Sequence, residues 1–543
     1  MFYSISLYAS LAIFGIGLIY KISTWFRYKP SPQAGSIPIS TRVFEAIKGI
    51  LSALLTKKGF ILIKVFILDV LFQRFLLKEG FLRWFSHTCI YGGFMLLLLM
   101  HALDELITSA LFPGYYSTSN PFMFLRNLFG AMVILGLILS LYRRVFFKGS
   151  RPRTTFSDYY AIVILATIII SGSLLEATKM ISYSRYKEMV EEYSVAEEEK
   201  EFKSLEAFWV KEFGVVSPYL KGPFDEKTLK EGKELHDMSC ARCHSHPHWA
   251  FMSYSISKVL RPIALFLDRV NMHTLLLYLH FITCFLGLAL IPFSKFFHIF
   301  ATPINILVNT LRSQEESNYA NLATRQIIEL DACTHCGNCT IWCPVSVAFE
   351  VIPNLDILPS ERLISLKKLS SGKKLSKKRL MLIQEGIYTC TDCHRCTDVC
   401  PIGIDLEALW SNMRESMAQL GYQRPEAFAR GAIKVDFTKS FMPAEKKLLQ
   451  EGTFSVCFGC QSCTNVCPIV ANYKNPKKVF DLMPHEIMHA LALGCIEVAL
   501  SSKMIWDCAT CYICQEQCPQ GVCITDILYE LRNISLKYLK EKK

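Results

Sequence analysis

The chain has 543 residues, 51% of them hydrophobic, and a formal net charge of +12 at pH 7. This length allows about three domains, and the apolar composition excludes a wholly soluble protein and indicates a membrane portion. Of the 22 cysteines, 16 lie in four regular quartets that must stay reduced, so that half of the chain belongs in a reducing compartment.

Five apolar segments are predicted to span a bilayer, because a span needs about 20 residues. They cover residues 2–20, 84–107, 127–142, 159–175 and about 274–293. The first has no basic residue before it and is followed by Lys21, Arg27 and Lys29. Basic flanks stay in the cytoplasm, so the N-terminus is expected outside. A cleaved signal peptide is the alternative, but the charged start and the small-residue cleavage site are missing.

The loop after the third span is basic, which places it inside. Its basic residues are Arg143, Arg144, Lys148, Arg151 and Arg153. Residues 41–80 are apolar but carry charges at helical spacing, which predicts amphipathic helices on the cytoplasmic face. A sixth span at 59–77 would place basic residues 21–58 outside and Lys64, Asp69 and Arg74 in hydrocarbon, so five spans are expected.

A long polar insert at residues 177–268 precedes the fifth span, and the count of spans places it outside and the chain after Lys295 inside. The insert contains Cys240, Cys243 and His244 in the spacing C-x-x-C-H, typical of covalent c-type heme attachment. An external disulfide between the two cysteines is the alternative. The same string at Cys390–His394 falls in an internal cysteine quartet. The candidates for the sixth iron ligand, which stay open, are His236, Met238, His246, His248 and Met252.

Four histidines lie near membrane depth, where ionisable side chains are costly and commonly functional. His87 and His101 are 14 residues apart on the second span, and His280 and His298 are 18 residues apart at the fifth. Both separations are close to whole helical turns, so each pair shares a helix face and can place one heme b near each leaflet. Because the two helices are antiparallel, His101 is expected to face His280, and His87 to face His298. The alternative for each is a histidine whose ring is hydrogen-bonded within the protein and does not bind heme.

The membrane half, residues 1–310, resembles the gamma subunit of respiratory nitrate reductases and the cytochrome b subunits of membrane heterodisulfide reductases. The resemblance is carried by His280 followed by Ile291-Pro-Phe-Ser-Lys-Phe-Phe-His298. The chain departs from it in the 14-residue spacing on the second span and in the c-type insert. The resemblance implies quinone handling, with menaquinone as the expected species. Candidate residues at the span ends are Arg83, Asp104, Glu105, Glu176 and Lys295.

Four quartets of the form C-x2-C-x2-C-x3-C-P complete the chain. In two-cluster ferredoxins the fourth cysteine of one motif ligates the cluster of the partner motif, so we expect four [4Fe–4S] clusters with crossed ligands. The first pair of ligand sets is Cys333, Cys336, Cys339 and Cys400, with Cys390, Cys393, Cys396 and Cys343. The second pair is Cys457, Cys460, Cys463 and Cys518, with Cys508, Cys511, Cys514 and Cys467. Zinc is the alternative, but zinc sites use cysteine pairs separated by a longer gap.

The stretch Leu330–Cys339 looks like the iron–sulfur region of heterodisulfide reductase-like membrane oxidoreductases, and 452–534 looks like their small ferredoxin-type component. Catalytic subunits of that family carry paired Cys-Cys-Gly segments, which are missing, as are nucleotide-binding motifs. Catalysis is therefore expected on a cytoplasmic heterodisulfide reductase-like or flavoprotein partner. Between the first two quartets lies a basic run, read as a solvated loop or as a docking site for an acidic partner or anionic lipid. Its residues are Lys367, Lys368, Lys373, Lys374, Lys377, Lys378 and Arg379.

The sequence thus predicts a mainly α protein of a prokaryotic cytoplasmic membrane: a five-helix transmembrane cytochrome b bundle with an external c-heme insert, followed by two α-helical dicluster ferredoxin-like domains. The domains are expected at 1–310, with the insert at 177–268, and at 311–450 and 451–543. The expected function is electron transfer between a membrane quinone and the cytoplasmic partner. The alternative is a transmembrane wire and anchor that links an external c-type cytochrome to that partner without a quinone site. No nucleic-acid partner is expected.

Overall fold

The computed structural model describes residues 2–146, 156–311, 318–343, 345–346, 349, 352–390, 393–423 and 453–541. Basic residues Lys148, Arg151 and Arg153, the proline Pro344 and the expected domain boundary near residue 450 lie outside this range. The structure is 75% helical, and its described part contains no β-strand. The mainly α fold class is therefore confirmed.

Among the described residues, five helices are long and apolar enough to cross a membrane. These spanning helices, numbered 1 to 5 in chain order, are Phe2–Arg27, Phe81–Ala102, Phe122–Phe146, Ser157–Ile181 and Met272–Phe293. Each overlaps a predicted span, so the prediction of five spans is confirmed. Residues 59–77 form no such helix. The helix Lys58–Val65 continues into a π-helical turn, Phe66–Leu71, and a separate helix, Arg74–Glu79, begins after Gln73, whose backbone lies in the left-handed region at φ 52°.

Spanning helices 2 and 3 pack with their backbones in close contact. A Cβ on Gly93 would lie 2.7 Å from the carbonyl oxygen of Phe129, and one on Gly136 would lie 2.7 Å from that of Ser86. Small residues permit this approach, which gains the van der Waals contact that drives helix association in lipid. Helix 3 also packs on helix 4 through a buried core. That core contains Val133, Leu137, Ile164, Leu165 and Ile169.

The polar insert folds into helices around a core of its own. The helices are Tyr183–Tyr193, Glu199–Phe208, Glu226–Ser239, Phe251–Leu260 and Ala264–Arg269. A Cβ on Gly232 would lie 2.1 Å from the carbonyl oxygen of Ser204, so Glu199–Phe208 and Glu226–Ser239 cross in backbone contact at that glycine. Asp225 caps Glu226–Ser239 by accepting a hydrogen bond from the Thr228 N–H at 3.0 Å. That helix ends at the first cysteine of the C-x-x-C-H motif.

The chain divides into two compact units. The first comprises Met1–Ile22, Ile63–Lys148 and Arg153–Ile299, and the second comprises Ser23–Leu62, Gly149–Pro152 and Phe300–Lys543. The segment Ser23–Leu62 therefore belongs with the iron–sulfur part of the chain. The longer helices of the second unit are Ile39–Leu54, Tyr319–Ala332, Pro359–Ser370, Lys377–Tyr388, Leu406–Gln419, Pro484–Ala492 and Ile524–Glu541. The predicted domain boundaries stay predictions.

A buried arginine holds Ile39–Leu54 inside the second unit. Arg42 is 1% exposed and donates to the Thr324 hydroxyl at 3.1 Å and to the carbonyl oxygens of Tyr28 and Trp25 at 2.7 and 2.6 Å. Burial lowers its pKa to about 10, which leaves it charged at neutral pH. Trp25 in turn donates through Nε1 to the Asp331 carboxylate at 2.8 Å. This hydrogen bond attaches the end of spanning helix 1 to a residue that lies two positions before Cys333 in the sequence.

Replacing Arg42 by Ala should lower the apparent unfolding midpoint of the detergent-solubilised protein. The change leaves two buried carbonyl groups without their donor, at a cost of roughly 1–3 kcal/mol each, and we expect a fall of about 5–10 °C. The exposed Arg27, two residues from Trp25, provides the control, and Arg27→Ala should change the midpoint by no more than ~2 °C. Equal midpoints for the two variants in thermal denaturation would contradict the role of Arg42.

Candidate functional site

Two cavities in the region of the first two quartets are lined by cysteines. One contains Cys333, Cys336, Cys339 and Cys400. The other contains Cys390, Cys393, Cys396 and Cys343. Each cavity combines three cysteines of one quartet with the fourth cysteine of the other quartet. The structure thus brings these cysteines together in the sets that the crossed assignment requires.

The four quartets share one local backbone conformation. The residue after the second cysteine lies in the left-handed region in every quartet, and a four-residue helix follows that carries the third cysteine in its second position. These left-handed residues are Gly337, His394, Gln461 and Tyr512, with φ of 87°, 59°, 63° and 64°. Such turns direct successive backbone N–H groups into one concavity, which suits an anionic iron–sulfur cluster.

The second match to the heme motif is explained by the same conformation. His394 follows Cys393 and has the backbone geometry of Gly337, Gln461 and Tyr512, which are not histidines. It also lines the cavity that contains Cys390, Cys393 and Cys396. The string Cys390–His394 is therefore part of a cysteine quartet loop.

Burial governs the chemistry of the cysteines. The third cysteine of each quartet is buried. Burial raises the pKa of the Cys396 and Cys463 thiols to about 12 and that of Cys339 well above its usual range. Because iron binds the thiolate, cluster insertion has to displace these protons, and the positive charge of the iron must offset the burial of the thiolates.

A buried cation lies beside the cavity of the Cys390 set. Arg362 is 1% exposed, lies 4.9 Å from the Trp410 ring, and donates to the carbonyl oxygens of Asp356 and Gly386 at 2.8 Å each. Its Nη1 has no hydrogen-bond partner among the described residues. Burial raises the pKa of Cys343 to about 11, and the charge of Arg362 acts in the opposite direction. A cation with an unused N–H donor suits a cavity that holds anionic thiolate ligands.

In the third and fourth quartets, Cys467 lies close to the first three cysteines of the fourth quartet. Cys467 is the fourth cysteine of the third quartet. The charge of Cys511 raises the pKa of Cys467, and the charge of Cys467 in turn raises the pKa of Cys508 and Cys514. The Cys518 sulfur accepts a hydrogen bond from the Val522 N–H at 3.3 Å, as the Cys400 sulfur does from the Ile404 N–H at 3.4 Å. The fourth cysteines of the second and fourth quartets, Cys400 and Cys518, therefore lie in the same type of turn.

Arg532 links the two pairs of quartets. It is fully buried on Ile524–Glu541 and donates to the carbonyl oxygens of Ile505 and Cys508 at 2.7 and 3.0 Å. A further nitrogen reaches the carbonyl oxygen of Thr389, which precedes Cys390, at 3.4 Å. One guanidinium thus contacts the backbone at the first cysteine of the fourth quartet and next to the first cysteine of the second quartet.

His87 and His298 are brought together in the first unit. The ring centroids of His87 and His298 are 6.4 Å apart. Two metal–imidazole bonds of about 2 Å and the two ring radii add up to roughly the same distance. His87 Nδ1 donates to the Gln73 side-chain oxygen at 2.8 Å, and His298 Nδ1 to the Lys295 carbonyl oxygen at 2.6 Å. These bonds leave Nε2 of both rings as the lone-pair nitrogen, as in metal-ligating histidines.

The second pair is His101 and His280. His280 Nδ1 contacts the Ile168 carbonyl oxygen and the Ser171 hydroxyl, each at 3.1 Å. A Cβ on Gly172 would lie 2.9 Å from the His280 ring, so the glycine makes room for it. His101 lies in a π-helical turn, Leu98–Ala102, close enough to His280 for the two charges to interact. Such turns occur frequently at functional sites.

Two polar clusters accompany the histidine pairs. Beside His101, Glu176 accepts hydrogen bonds from Arg126, from the buried Asn127 at 3.0 Å and from the buried Ser253 at 2.7 Å. Beside His298, Lys295 donates to the buried Asp158 at 2.7 Å, and Arg144 lies 3.8 Å from the same carboxylate.

The remaining quinone candidates have local partners. Arg83 pairs with Glu79 at 3.3 Å, and the Asp104 carboxylate accepts from the Glu105 N–H at 3.0 Å. Sequence reasoning missed Asp158, Arg126 and Asn127. Asp158 and Arg126 are charged residues at the ends of apolar helices, so the signal that selected Glu176 and Lys295 could have found them.

The C-x-x-C-H motif lies in the core of the insert. Cys240 is buried, Cys243 is half-buried and both are free thiols. The Trp209 ring lies edge-on to His244, with centroids 5.5 Å apart. Burial lowers the pKa of His244 to about 4, so the imidazole is neutral at pH 7, the form that binds a metal.

Buried polar atoms without a partner surround this motif. Trp209 Nε1, Tyr186 OH and His236 Nδ1 make no hydrogen bond to the described residues. Buried polar atoms are normally paired, so these three indicate that a further group completes the site. Among the sixth-ligand candidates, Met238 is 67% exposed, whereas His236 is buried against Phe208 and Phe213.

Two family models match the C-terminal half, and both are described as 4Fe-4S dicluster domains. One matches residues 325–401 and the other residues 453–522. Each range contains two complete cysteine quartets. The chain therefore has two [4Fe–4S] dicluster domains.

Comparison with curated proteins finds components of one type of enzyme. The chain is 29% identical over 191 residues to the E component of dihydromethanophenazine:CoB–CoM heterodisulfide reductase from Methanosarcina barkeri, covering 33% of this chain and 72% of that protein. It is 35% identical over 81 residues to the iron-sulfur C component of CoB–CoM heterodisulfide reductase from Methanopyrus kandleri, covering 15% and 38%. It is 32% identical over 116 residues to the C component of H(2):CoB-CoM heterodisulfide,ferredoxin reductase from Methanothermobacter thermautotrophicus, covering 21% and 56%.

The chain thus spans less than two thirds of the two relatives of the C type. No solved structure matches the chain significantly. The similarities to the E and C components agree with the order of five membrane helices followed by two dicluster domains. The chain is therefore an electron-transfer protein related to heterodisulfide reductase, in which a membrane part similar to the E component is joined to [4Fe–4S] domains similar to the C component.

Proposed function

We propose that this chain exchanges electrons with a membrane quinone through two b hemes and conducts them along four [4Fe–4S] clusters to a cytoplasmic catalytic partner. The observation that carries the membrane part is the pairing of His87 with His298 at 6.4 Å, with both Nδ1 atoms engaged by oxygen acceptors. Hemes and clusters supply one-electron transfer, and the protein holds and orients them. Similarity to the E and C components supports a heterodisulfide reductase-like partner, with a flavoprotein as the second choice.

The cluster ligands are proposed as the four crossed sets given above. The contacts of Arg532 support an order in which the cluster of the Cys390 set passes electrons to the cluster of the Cys508 set. The contact of Trp25 with Asp331 supports the Cys333 set as the one next to the membrane, because Asp331 lies two residues before Cys333 and Trp25 lies two residues before the end of spanning helix 1. The Cys457 set then lies at the partner end.

A quinone site is proposed beside Glu176. A quinone exchanges two protons with its two electrons, so the site needs a carboxylate that can accept and release protons near a heme. Glu176 is held by Arg126, Asn127 and Ser253, and its charge acts on His101. Lys295 and Asp158 form the corresponding cluster near the inner histidine pair and are the second candidate. We propose menaquinone as the species.

The insert supports the alternative function. Cys240, Cys243 and His244, with the unpartnered buried atoms around them, suit a covalent c heme that would accept electrons from an external c-type cytochrome. The chain would then be a wire and anchor without a quinone site. Both functions place the insert outside and the clusters in the cytoplasm of a prokaryotic cell, and the quinone titration below distinguishes them.

Replacing Cys343 by Ser should remove the cluster of the Cys390 set, because the fourth cysteine serves the partner motif. We expect about four irons per chain to be lost. The electron paramagnetic resonance spectrum of the reduced variant should match that of Cys393→Ser and differ from that of Cys336→Ser. Cys495→Ser, outside the quartets, is the control and should keep all clusters. A Cys343→Ser spectrum that matches Cys336→Ser would show that the ligand sets are not crossed.

A quinone analogue should shift the heme b absorption spectrum of the purified protein. Glu176→Gln should abolish the shift or weaken analogue binding at least ~10-fold, because the neutral amide cannot form the ion pair with Arg126 that holds the site together. The exposed Glu192→Gln, in the insert and away from the candidate quinone residues, is the control and should bind as the wild type does. No shift in the wild type, together with fast reduction by an external cytochrome c, would exclude the quinone function in favour of the wire.

Covalent heme should stay on the chain during denaturing electrophoresis. Heme staining of the wild type should be positive, and Cys240→Ala with Cys243→Ala should abolish it because both thioether bonds are lost. Cys89→Ser with Cys284→Ser, which changes two cysteines on the spanning helices, should stain normally. An unstained wild-type band would remove the c heme and leave the cluster assignments unaffected.

A further inference from the structure

The helix Ile39–Leu54 has its apolar face directed away from the protein. Its inner face carries the buried Arg42 and Ala53. Its outer face carries six large apolar side chains that are 51–64% exposed. These are Ile39, Phe44, Ile47, Ile50, Leu51 and Leu54. An apolar stripe of this width is unfavourable in water and is the face that interfacial helices bury at the boundary of headgroups and acyl chains.

A lysine-rich loop lies beside the exit of the first span. The Lys29 N–H, two residues after the end of spanning helix 1, donates to the Ser370 carbonyl oxygen at 2.9 Å. Ser370 ends the helix Pro359–Ser370. The loop that follows and the first turn of the next helix, Lys377–Tyr388, together carry four exposed lysines. These are Lys373, Lys374, Lys377 and Lys378.

Two other basic residues of this run have acidic partners. Lys367 donates to Asp331, and Arg379 lies 3.0 Å from the Asp356 carboxylate. Both belong to the fold of the dicluster domain. The four loop lysines are exposed and form a positive patch at the end of a membrane-spanning helix.

The structure assigns this surface, Ile39–Leu54 together with the lysine loop, to docking on a bilayer that contains anionic lipids. Spanning helix 1 continues for six residues beyond Lys21, the first basic residue after the apolar run, which is about 9 Å, and Lys29 follows two residues after its end. The headgroup layer of one leaflet is roughly 5–7 Å thick, and the attraction of an anionic surface reaches about one Debye length, ~8 Å, beyond it. A loop bonded to Lys29 therefore lies within reach of lipid phosphates.

The location of the stripe and the lysines at the exit of the first span favours anionic lipid over an acidic protein as the binding partner. A partner protein could cover the lysines, but the apolar stripe and the lysines adjoin the same span exit, where a bilayer is already present. The stripe and the lysines together match the two components of interfacial binding, burial of apolar area and attraction to anionic headgroups. This proposal needs only the membrane location of the chain and does not rest on the hemes, the quinone or the catalytic partner.

The test compares lipid binding by the full-length protein in neutral detergent. Native mass spectrometry during titration with phosphatidylglycerol and with phosphatidylcholine gives the two affinities. Each lysine near an anionic surface is worth roughly fivefold in binding. The triple variant Lys373→Gln, Lys374→Gln, Lys378→Gln should therefore lose at least ~10-fold of its phosphatidylglycerol affinity and keep its phosphatidylcholine affinity.

The matched control removes the same charge elsewhere. Lys474, Lys477 and Lys478 are exposed lysines of the second dicluster domain, and their replacement by Gln should leave both affinities unchanged. All six substitutions are on the surface and should preserve the unfolding midpoint. The proposal is overturned if the loop variant binds phosphatidylglycerol as the wild type does, if the control loses affinity equally, or if only capture of an acidic partner protein falls.

Discussion

The arrangement of this chain depends on one constraint: thiolates cannot be buried unless positive charge is buried with them. The structure encloses the third cysteine of every quartet, and burial, together with the charges of neighbouring cysteines, raises the thiol pKa to about 12 at Cys396 and Cys463. A dicluster domain therefore gains stability when iron replaces the protons, and the binding free energy of the clusters is part of its folding free energy. The left-handed residue after each second cysteine and the buried Arg362 prepare the two cavities of the first domain for that exchange.

The membrane part meets the same constraint with neutral groups. Imidazole rings at membrane depth are costly, and three of the four have an Nδ1 contact with an oxygen atom: His87 with Gln73, His298 with Lys295 and His280 with Ile168. Two ion pairs lie near the histidines, Lys295 with Asp158 and Arg126 with Glu176. The polar groups near the histidines therefore lie in two clusters, one at each histidine pair, where proton exchange with a carrier is chemically feasible.

Sequence reasoning succeeded where the signal is local. The spans follow from runs of apolar residues, and the quartets follow from a fixed spacing of cysteines, so both could be read without the structure. It failed for contacts between distant residues. Nothing in the sequence pairs Arg42 with Thr324, Trp25 with Asp331 or Asp158 with Lys295, which are 282, 306 and 137 residues apart. The grouping of Ser23–Leu62 with the iron–sulfur part of the chain also depends on such distant contacts, and no local pattern in the sequence indicates it.

The two dicluster domains repeat one local conformation, but the residues that connect them are not part of the repeat. Ile524–Glu541 supplies Arg532, whose guanidinium bonds to the carbonyl oxygens of Cys508 and Thr389. Its Tyr529 packs, as Cys343 does, against the buried cluster of Val345 and Ile357 in the first domain. The last helix of the chain therefore lies against the Cys343–Cys390 set of one domain and the Cys508 set of the other. Two dicluster domains joined only by a linker would leave the distance between their clusters undefined, whereas a shared helix with buried bonds to both fixes it. Since electron transfer between clusters requires a defined short separation, this helix is the element that makes one conductor out of two ferredoxin-like domains.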